Sequence, residues 1–406
     1  MSPMVHYQLI CTQCGKSYPP DELKLRCDRC SEPLEVFYGT LRPEVEVQGS
    51  ILKRYSAFYP FDEVLEAMSL GEGGTPLIQS SIVGRLWGMD GLYFKDETQN
   101  PTWSFKDRGT FCGIHHAISL GYKRIGTVST GNMAASVAAY GARAGLGTFI
   151  LVSAGIPPEK IKPVAVYGPH LIRVEVGYHE LYDESLRMGD RHGIYFINSD
   201  APFRVEGSKS IAFEICEQLR FQVPDYVIVP VSSGGNFRGI LKGFEEFRSA
   251  GLIDGIPQLI AVQAEGCAPI VEAFQGGGEK VRRVASPKTI AHAIENPFPP
   301  SGNQVLRKLR ENGGLALTVG DEEMLEAQVL LAQEGIFGQP AACAPLAAAG
   351  RLLSDGYLKP KDRVVLIITG AGLKVPSALD HLDVPVISTS IDGLTESNGK
   401  VIEGPC

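Results

Sequence analysis

The sequence predicts an α/β fold with two doubly wound parallel-sheet domains, preceded by a small cysteine-rich module. Three observations support this prediction. The chain has 406 residues, which is more than a single hydrophobic core usually supports. Apolar β-branched segments alternate with segments of helical period along most of its length. Four cysteines are grouped as two C-x2-C pairs near the N-terminus.

The first element is the cysteine module, which we place at residues 1–40. Cys11 and Cys14 form one pair, and Cys27 and Cys30 form the other. Two such pairs, each in a tight turn, can direct four thiolates at one tetrahedral ion, so the module resembles a zinc ribbon with structural Zn²⁺. A redox pair or a metal-free knuckle is the alternative. A catalytic ion is not expected, since four thiolates leave no open coordination position.

Alternating strands and helices follow. In the first half we predict strands at 92–97, 124–130 and 147–154, and helices at 109–121 and 133–145. In the second half we predict an apolar strand that ends in a glycine-rich turn at 225–236, strands at 257–266 and 362–372, and helices at 208–219, 237–251 and 321–335. Repeated βα units indicate parallel sheets. The predicted domains are a large α/β domain (41–98 plus 196–378), a small α/β domain (99–195) and a C-terminal tail (379–406).

The composition excludes several classes of protein. Hydrophobic residues make up 44% and charged residues 21%, values typical of globular proteins. The formal net charge of -8 argues against a general nucleic-acid or acidic-membrane surface. No apolar run of about 18 residues is present. We therefore expect a cytoplasmic protein that binds neither membrane nor nucleic acid.

Three polar, glycine-containing turns follow predicted strands. They are VPVSSGGNFRG (229–239), STGNMAAS (129–136) and IITGAGLK (367–374). A strand–loop–helix start of this kind binds phosphate through backbone N–H groups and the helix dipole. Alone, each turn is equally compatible with a plain βα connection, because none has a dinucleotide or nucleoside-triphosphate fingerprint. Together they indicate one phosphate-bearing small molecule at the carboxyl edge of a sheet.

Lys106, in NPTWSFKDRGT (100–110), supplies a further requirement. Pyridoxal 5'-phosphate needs a lysine amine for a Schiff base, an anion site, a donor to its phenolic oxygen and a partner for its ring nitrogen. The alternative is that Lys106 is a surface lysine paired with Asp107, the usual situation in a charged cluster.

Taken together, these motifs resemble the threonine synthases, fold-type-II pyridoxal-phosphate enzymes related to the tryptophan synthase β subunit. The resemblance extends from the cysteine ribbon through GEGGTPL (71–77) and NPTWSFKDRG to ITGAGLK. It implies that Lys106 forms the Schiff base, that Asn132 donates to the phenolic oxygen and that Thr369 faces the pyridine nitrogen. It also implies a group of residues around the cofactor phosphate: Ser232, Ser233, Gly234, Gly235 and Asn236.

The stretch FINSDAPFRVEG (196–207) is similar to the segment that holds the substrate phosphate in this family. The resemblance assigns that role to Asn198, Ser199 and Arg204, and it places Ser104 and Thr130 near the substrate. A guanidinium suits a phosphate because it binds two oxygens at once. The alternative for Arg204 is a surface pair with Glu206 or Glu214.

The implied reaction converts O-phospho-L-homoserine and water into L-threonine and phosphate, in a carbon-oxygen lyase expected to be a homodimer. Several positions depart from the family pattern. Trp103 stands where the motif NPTGSFKD has glycine, and Gln339 stands where glutamate is common. Ala371 and Val375 stand where the motif TGHGLKDP has histidine and aspartate. A paralogous lyase or β-replacement enzyme, such as a serine or threonine dehydratase or one acting on another O-phospho amino acid, is the alternative. A non-catalytic metal- or nucleic-acid-binding module is a further alternative, which the acidic composition disfavours.

Overall fold

The computed structural model describes residues 7–20, 24–39, 48–153 and 158–380, and residues 382, 384, 386, 388, 390 and 391, without the side chains of 158–160, 178 and 179. Most of the predicted C-terminal tail lies outside the described residues. The strands are β1 (Tyr7–Cys11), β2 (Ser17–Tyr18), β3 (Leu34–Tyr38), β4 (Leu77–Gln79), β5 (Leu92–Asp96), β6 (Arg124–Val128), β7 (Gly147–Ser153), β8 (His170–Val174), β9 (Tyr195–Phe196), β10 (Tyr226–Pro230), β11 (Gln258–Ala264), β12 (Leu315–Val319) and β13 (Val364–Ile368).

The helices alternate with these strands. They are α1 (Ile51–Arg54), α2 (Val83–Trp87), α3 (Lys106–Ser119), α4 (Asn132–Arg143), α5 (Pro158–Ala165), α6 (Tyr178–His192), α7 (Pro202–Gln218), α8 (Gly235–Ser249), α9 (Pro269–Gln275), α10 (Gly302–Asn312), α11 (Asp321–Gln333) and α12 (Pro340–Ser354). No helix among the described residues is both long enough and apolar enough to cross a membrane.

The strands form three sheets. The N-terminal module is an antiparallel sheet of order β2-β1-β3, the large sheet has the order β12-β11-β10-β13-β5-β4, and the small sheet has the order β8-β7-β6-β9. The small sheet is parallel throughout, and the large sheet is parallel except for its edge strand β4, which runs antiparallel to β5. The prediction of an α/β fold with two parallel sheets is therefore confirmed, while the predicted domain limits stay a prediction.

Parallel sheets require apolar strands because helices cover both faces. All residues of β13 and four successive residues of β10, from Val227 to Pro230, are buried. The interior contains α7, whose residues from Pro202 to Cys216 are all buried and which packs against α3 and α8. The chain that leaves β9 of the small sheet thus enters the middle of the molecule through residues 197–201.

The three glycine-containing turns belong to two sheets. The turn at 129–131 follows β6 in the small sheet, whereas those at 231–234 and 369–371 follow β10 and β13 in the large sheet. The expectation of a single sheet edge therefore needs a correction. The turns meet across a cleft between the two sheets.

Candidate active site

Most of the predicted site residues line this cleft. Its walls include Lys106, Asn132, Ser199, Arg204, Ser232, Ser233, Gly234, Gly235, Asn236 and Thr369. The large sheet contributes the turns after β10 and β13, and the start of α4, which follows β6 of the small sheet, contributes the other wall. The cleft therefore brings together the lysine, the glycine-rich turn and two of the three predicted substrate-phosphate residues, Ser199 and Arg204.

Lys106 is the first residue of α3 and lies partly buried in the cleft. Its Nζ lies 4.1 Å from the centroid of the Phe105 ring. Burial, together with the positive charges of Arg204 and Lys374, holds the pKa of Lys106 well below its ordinary value. The lowered pKa increases the fraction of Lys106 present as the neutral, nucleophilic amine.

The charged neighbours of Lys106 do not pair with it. Asp107 is buried and accepts hydrogen bonds from the backbone N–H and the hydroxyl of Thr102, each at 2.6 Å. Arg108 is fully buried and donates to the carboxylates of Glu97 and Glu214 at 2.6–2.8 Å. The alternative of a surface Lys106–Asp107 pair therefore has no support in the geometry.

The glycine-rich turn has no room for side chains at its two glycines. Gly234 has φ 94°, and a Cβ there would lie 2.6 Å from Cγ2 of Val305. A Cβ on Gly235 would lie 2.3 Å from the carbonyl oxygen of Ser199. Because α8 begins at Gly235, its first N–H groups have no acceptor within the helix and are available to an anion in the cleft.

Several polar side-chain atoms in and beside the cleft are buried with no partner among the described residues. They are Oδ1 and Nδ2 of Asn236, Oγ of Ser199 and Oγ of Ser104. Buried polar atoms are nearly always hydrogen-bonded in native proteins. These atoms, with the free helix start, therefore fit a phosphate-bearing ligand such as pyridoxal phosphate.

The turn after β13 and the start of α4 meet on the opposite wall. The Nδ2 of Asn132 donates to Oε1 of Gln339 at 3.3 Å, and the backbone N–H of Gln339 donates to the carbonyl of Gly370 at 2.9 Å. The carbonyl of Thr369 accepts from the N–H of Phe105 at 3.1 Å. These contacts place Asn132 and Thr369 beside the segment that carries Lys106.

Three predicted residues do not line the cleft: Ser104, Thr130 and Asn198. Ser104 bridges Gly370 through its backbone, next to the cleft. The Oδ1 of Asn198 accepts from the N–H of Val128 at 3.1 Å, and its Nδ2 donates to Ser185 at 3.0 Å. A phosphate-binding role for Asn198 would require these contacts to change.

Arg204 is buried beside α3. Its Nη1 lies 3.4 Å from the carbonyl of Lys106 and donates to it. The acids that a surface pair would use are bound elsewhere: Glu206 pairs with Lys209 and Lys242, and Glu214 pairs with Arg108 and Lys95. The surface interpretation of Arg204 therefore has no support.

Comparisons with known proteins agree with this geometry. Residues 68–370 match the family model for pyridoxal-phosphate dependent enzymes. The chain is 41% identical to threonine synthase of Methanocaldococcus jannaschii over 91% of this chain and 93% of that protein. It is 36% identical to threonine synthase of Methanosarcina acetivorans over 96% of this chain and 98% of that protein. The chain belongs to the threonine synthase family.

Solved structures agree on the fold. A fungal L-serine ammonia-lyase from Rhizomucor miehei superposes with a TM-score of 0.65 at 20% identity, covering 76% of this chain and 98% of that one. Maize serine racemase superposes with a TM-score of 0.62 at 22% identity, covering 81% and 92%. These likenesses confirm the fold of pyridoxal-phosphate enzymes for this member of the threonine synthase family.

Trp103, which departs from the threonine synthase motif, does not line the cleft. Its side chain is 55% exposed, and its backbone has φ 62°. Glycine adopts that conformation without strain, which explains why the motif has glycine there. Trp103 therefore does not crowd the site. Gln339, by contrast, lines the cleft and touches Asn132.

Sequence reasoning missed several members of this threonine synthase site. Lys374, the last residue of ITGAGLK, donates to the carbonyl of Thr102 at 2.6 Å. Burial lowers the pKa of Lys374 to about 8, against the opposing charge of Asp107. Lys374 acts on the site through its charge, which lowers the pKa of Lys106, whereas Ser208 and Ile294 line the cleft itself. The motif itself could have indicated Lys374, whereas no sequence signal pointed to Ile294.

The four cysteines of the N-terminal module converge. The sulfur atoms of Cys11, Cys14, Cys27 and Cys30 all lie within 4.8 Å of one another. Burial raises the pKa of Cys27, but hydrogen bonds to its sulfur from the Tyr18 hydroxyl and the Arg29 N–H outweigh burial and hold the pKa at about 6. Four sulfurs at this spacing fit one tetrahedral metal ion.

Proposed function

We propose that this chain is a threonine synthase, which converts O-phospho-L-homoserine and water into L-threonine and phosphate. The observation that carries the proposal is the shared cleft, which joins the Lys106 amine to two anion-binding features. One is the start of α8 with the turn at 232–236, and the other is the Ser199 hydroxyl with the Arg204 guanidinium. A phosphorylated cofactor and a phosphorylated substrate require two such features.

We assign the cofactor contacts as the resemblance to the family implies, and all the residues concerned line the cleft. Ser232, Ser233, Gly234, Gly235 and Asn236 would hold the phosphate of pyridoxal phosphate. Asn132 would donate to its phenolic oxygen, Thr369 would face its pyridine nitrogen, and Lys106 would anchor it. When bound, the cofactor withdraws electrons and makes the Cα proton of the amino acid removable.

The side chains of this chain then bind the substrate and move its protons. Arg204 and Ser199 would hold the substrate phosphate, with Ser104, Thr130 and Asn198 close by. Lys106 would take the proton from Cα and deliver or accept protons at Cβ and Cγ. The phosphate leaves from Cγ, and water adds at Cβ. The lowered pKa suits Lys106 to this exchange, because the neutral amine, and not the ammonium, accepts a proton.

The test is an assay of the purified protein with O-phosphohomoserine, O-phosphoserine and threonine, scored for phosphate, threonine and 2-oxo acid. We expect threonine and phosphate in equal amounts from O-phosphohomoserine alone. Lys106→Ala should lower kcat by about 10²–10⁴-fold through lost proton transfer alone. Lys361→Ala, at an exposed lysine, is the matched control. A 2-oxo acid from threonine, with no threonine from O-phosphohomoserine, would favour the dehydratase alternative.

We further propose one structural Zn²⁺ in the cysteine module, a homodimeric assembly and a cytoplasmic location. The convergence of the four sulfurs supports the zinc site. Zinc bound by four thiolates has no open position, so it would stabilise the module and take no part in the reaction.

A further inference from the structure

The cysteine module contacts the segment that carries the proposed substrate-phosphate residues. Arg26, immediately before Cys27, donates from Nη2 to Oδ2 of Asp200 at 2.6 Å and to the carbonyl of Pro300 at 3.2 Å. Asp200 lies between Ser199 and Arg204 in the chain. A single guanidinium thus joins the module to two segments of the large domain.

This ion pair is shielded from water. The side chain of Arg26 is 24% exposed and that of Asp200 is 1% exposed. The second oxygen of Asp200 accepts a hydrogen bond from the hydroxyl of Tyr182 in α6 of the small domain. The guanidinium also lies over the Tyr182 ring, 5.6 Å from its centroid. Because both oxygens of Asp200 are bound, its carboxylate is held between the module and α6.

The second terminal nitrogen of the Arg26 guanidinium, Nη1, binds within the cysteine module itself. Nη1 of Arg26 donates to the carbonyl of Ser31 at 2.7 Å, and the N–H of Ser31 donates to the carbonyl of Cys27 at 2.9 Å. The two nitrogens therefore serve two parts of the protein. Only the planar fork of arginine can do this, since a lysine ammonium is a single point charge on a flexible stem.

Both segments that Arg26 contacts abut the glycine-rich turn. The carbonyl of Ser199 fills the space beside Gly235, where a Cβ would approach it to 2.3 Å. The N–H of Ser301, next to Pro300, donates to the carbonyl of Ser233 at 3.0 Å. Any displacement of Asp200 or Pro300 would therefore reach the residues that face the cleft.

We propose that Arg26 is a positioning residue for the substrate-phosphate subsite. It holds the backbone on either side of Asp200 so that the Ser199 hydroxyl and the Arg204 guanidinium converge on one phosphate monoester. The proposal rests on the proposed function, which assigns those two residues to the substrate phosphate. Because misplacement by about 1 Å can cost 10²-fold in rate or affinity, a residue that makes no contact with substrate can matter here.

The test uses the cofactor-loaded protein and the variants Arg26→Gln, Arg26→Lys and Asp200→Asn. We expect Arg26→Gln to weaken binding of inorganic phosphate, measured by calorimetry, by about tenfold and to raise KM for O-phosphohomoserine by a similar factor. The kcat should stay within about twofold, because uniform binding is what is lost. Arg26→Lys should fall between wild type and Arg26→Gln.

The matched control is Arg307→Gln. Arg307 pairs with Glu32 of the same module at 3.1 Å, with side chains 26% and 13% exposed, but it contacts neither Asp200 nor Pro300. We expect wild-type phosphate affinity in this variant. Equal losses of phosphate affinity in the Arg26 and Arg307 variants would show that Arg26 only attaches the module to the rest of the protein, which would overturn the proposal. Unchanged phosphate affinity in both variants would overturn it as well.

Two further readouts separate the possible failures. If circular dichroism shows that Arg26→Gln does not fold, Asp200→Asn, which removes only the charge, carries the same comparison against Arg307→Gln. If the wild-type protein makes no threonine, the proposed function fails. The calorimetric phosphate affinities still decide whether Arg26 positions an anion subsite.

Discussion

At the scale of single residues, Trp103 shows how a backbone requirement and a chemical requirement can be confused. It stands in the lysine motif, where the family pattern has glycine. In the structure its carbonyl accepts from the N–H of Ala371 at 3.0 Å, and its backbone is left-handed. That conformation costs an L-residue roughly 1–2 kcal/mol. The position therefore favours glycine for conformational reasons rather than for substrate selection.

Two variants isolate this cost. Trp103→Gly and Trp103→Ala remove the same ring, but only glycine relieves the left-handed strain. We expect the glycine variant to be more stable than the alanine variant by about 1 kcal/mol in urea unfolding. Both should keep the wild-type KM for O-phosphohomoserine. A KM raised severalfold in both variants would show instead that the indole ring contributes to the site.

At the scale of elements, the strands and turns that could be predicted from the sequence are those with a residue pattern confined to a short segment. The strands of the large sheet are apolar and the turns contain glycine, so β5, β10 and β13 and the turns after β10 and β13 were predicted within a few residues. The antiparallel edge strand β4 was not predicted, because three residues carry too little periodicity. The way the cysteine module docks was not predicted either. Arg26 and Asp200 are 174 residues apart, and no local pattern relates them.

The cysteine module yields a prediction of its own. The protein should hold one zinc ion per chain, measured by elemental analysis after gel filtration. Cys14→Ser and Cys30→Ser should each lose that ion and lower the thermal midpoint, because a missing thiolate breaks the tetrahedral set. Cys267→Ala, at a buried cysteine outside the module, is the control and should retain the zinc. Zinc retained in both serine variants would contradict the assignment.

At the scale of the whole molecule, the interior contains many charges that cancel. One buried group joins Lys95 and Arg108 to Glu97 and Glu214. A second joins Lys209 and Lys242 to Glu206 and Glu246, with Tyr38 of the module beside it. Each group sets two cations against two carboxylates. These groups could not be predicted from the sequence. A buried charge is tolerated only beside its partner, and the partners come from distant segments of the chain.

Two buried histidines, His115 and His116, are kept neutral by burial, which the nearby Glu66 carboxylate only partly opposes at His115. His116 stacks on Phe203 at 3.4 Å and lies between the hydroxyls of Tyr7 and Tyr195, at 2.7 and 2.8 Å. Burial lowers its pKa to about 3. The Nε2 of His115 accepts from the N–H of Leu65 at 2.7 Å, and burial lowers the pKa of His115 to about 4. Both histidines are therefore neutral in the fold well below the pH at which they protonate in the unfolded chain.

The molecule should consequently lose stability as the pH falls from about 6.5 toward 4. In that window the unfolded chain binds two protons that the folded chain excludes, so stability rises with pH and falls with acid. At pH 5 each histidine should cost about 2 kcal/mol, from 1.36 kcal/mol per unit below 6.5. Urea unfolding between pH 7.5 and 5.0 measures the slope of stability against pH.

His116→Gln, although less stable overall, should show a slope smaller by one proton. An unchanged slope in His116→Gln would mean that acid acts elsewhere, on the buried carboxylates.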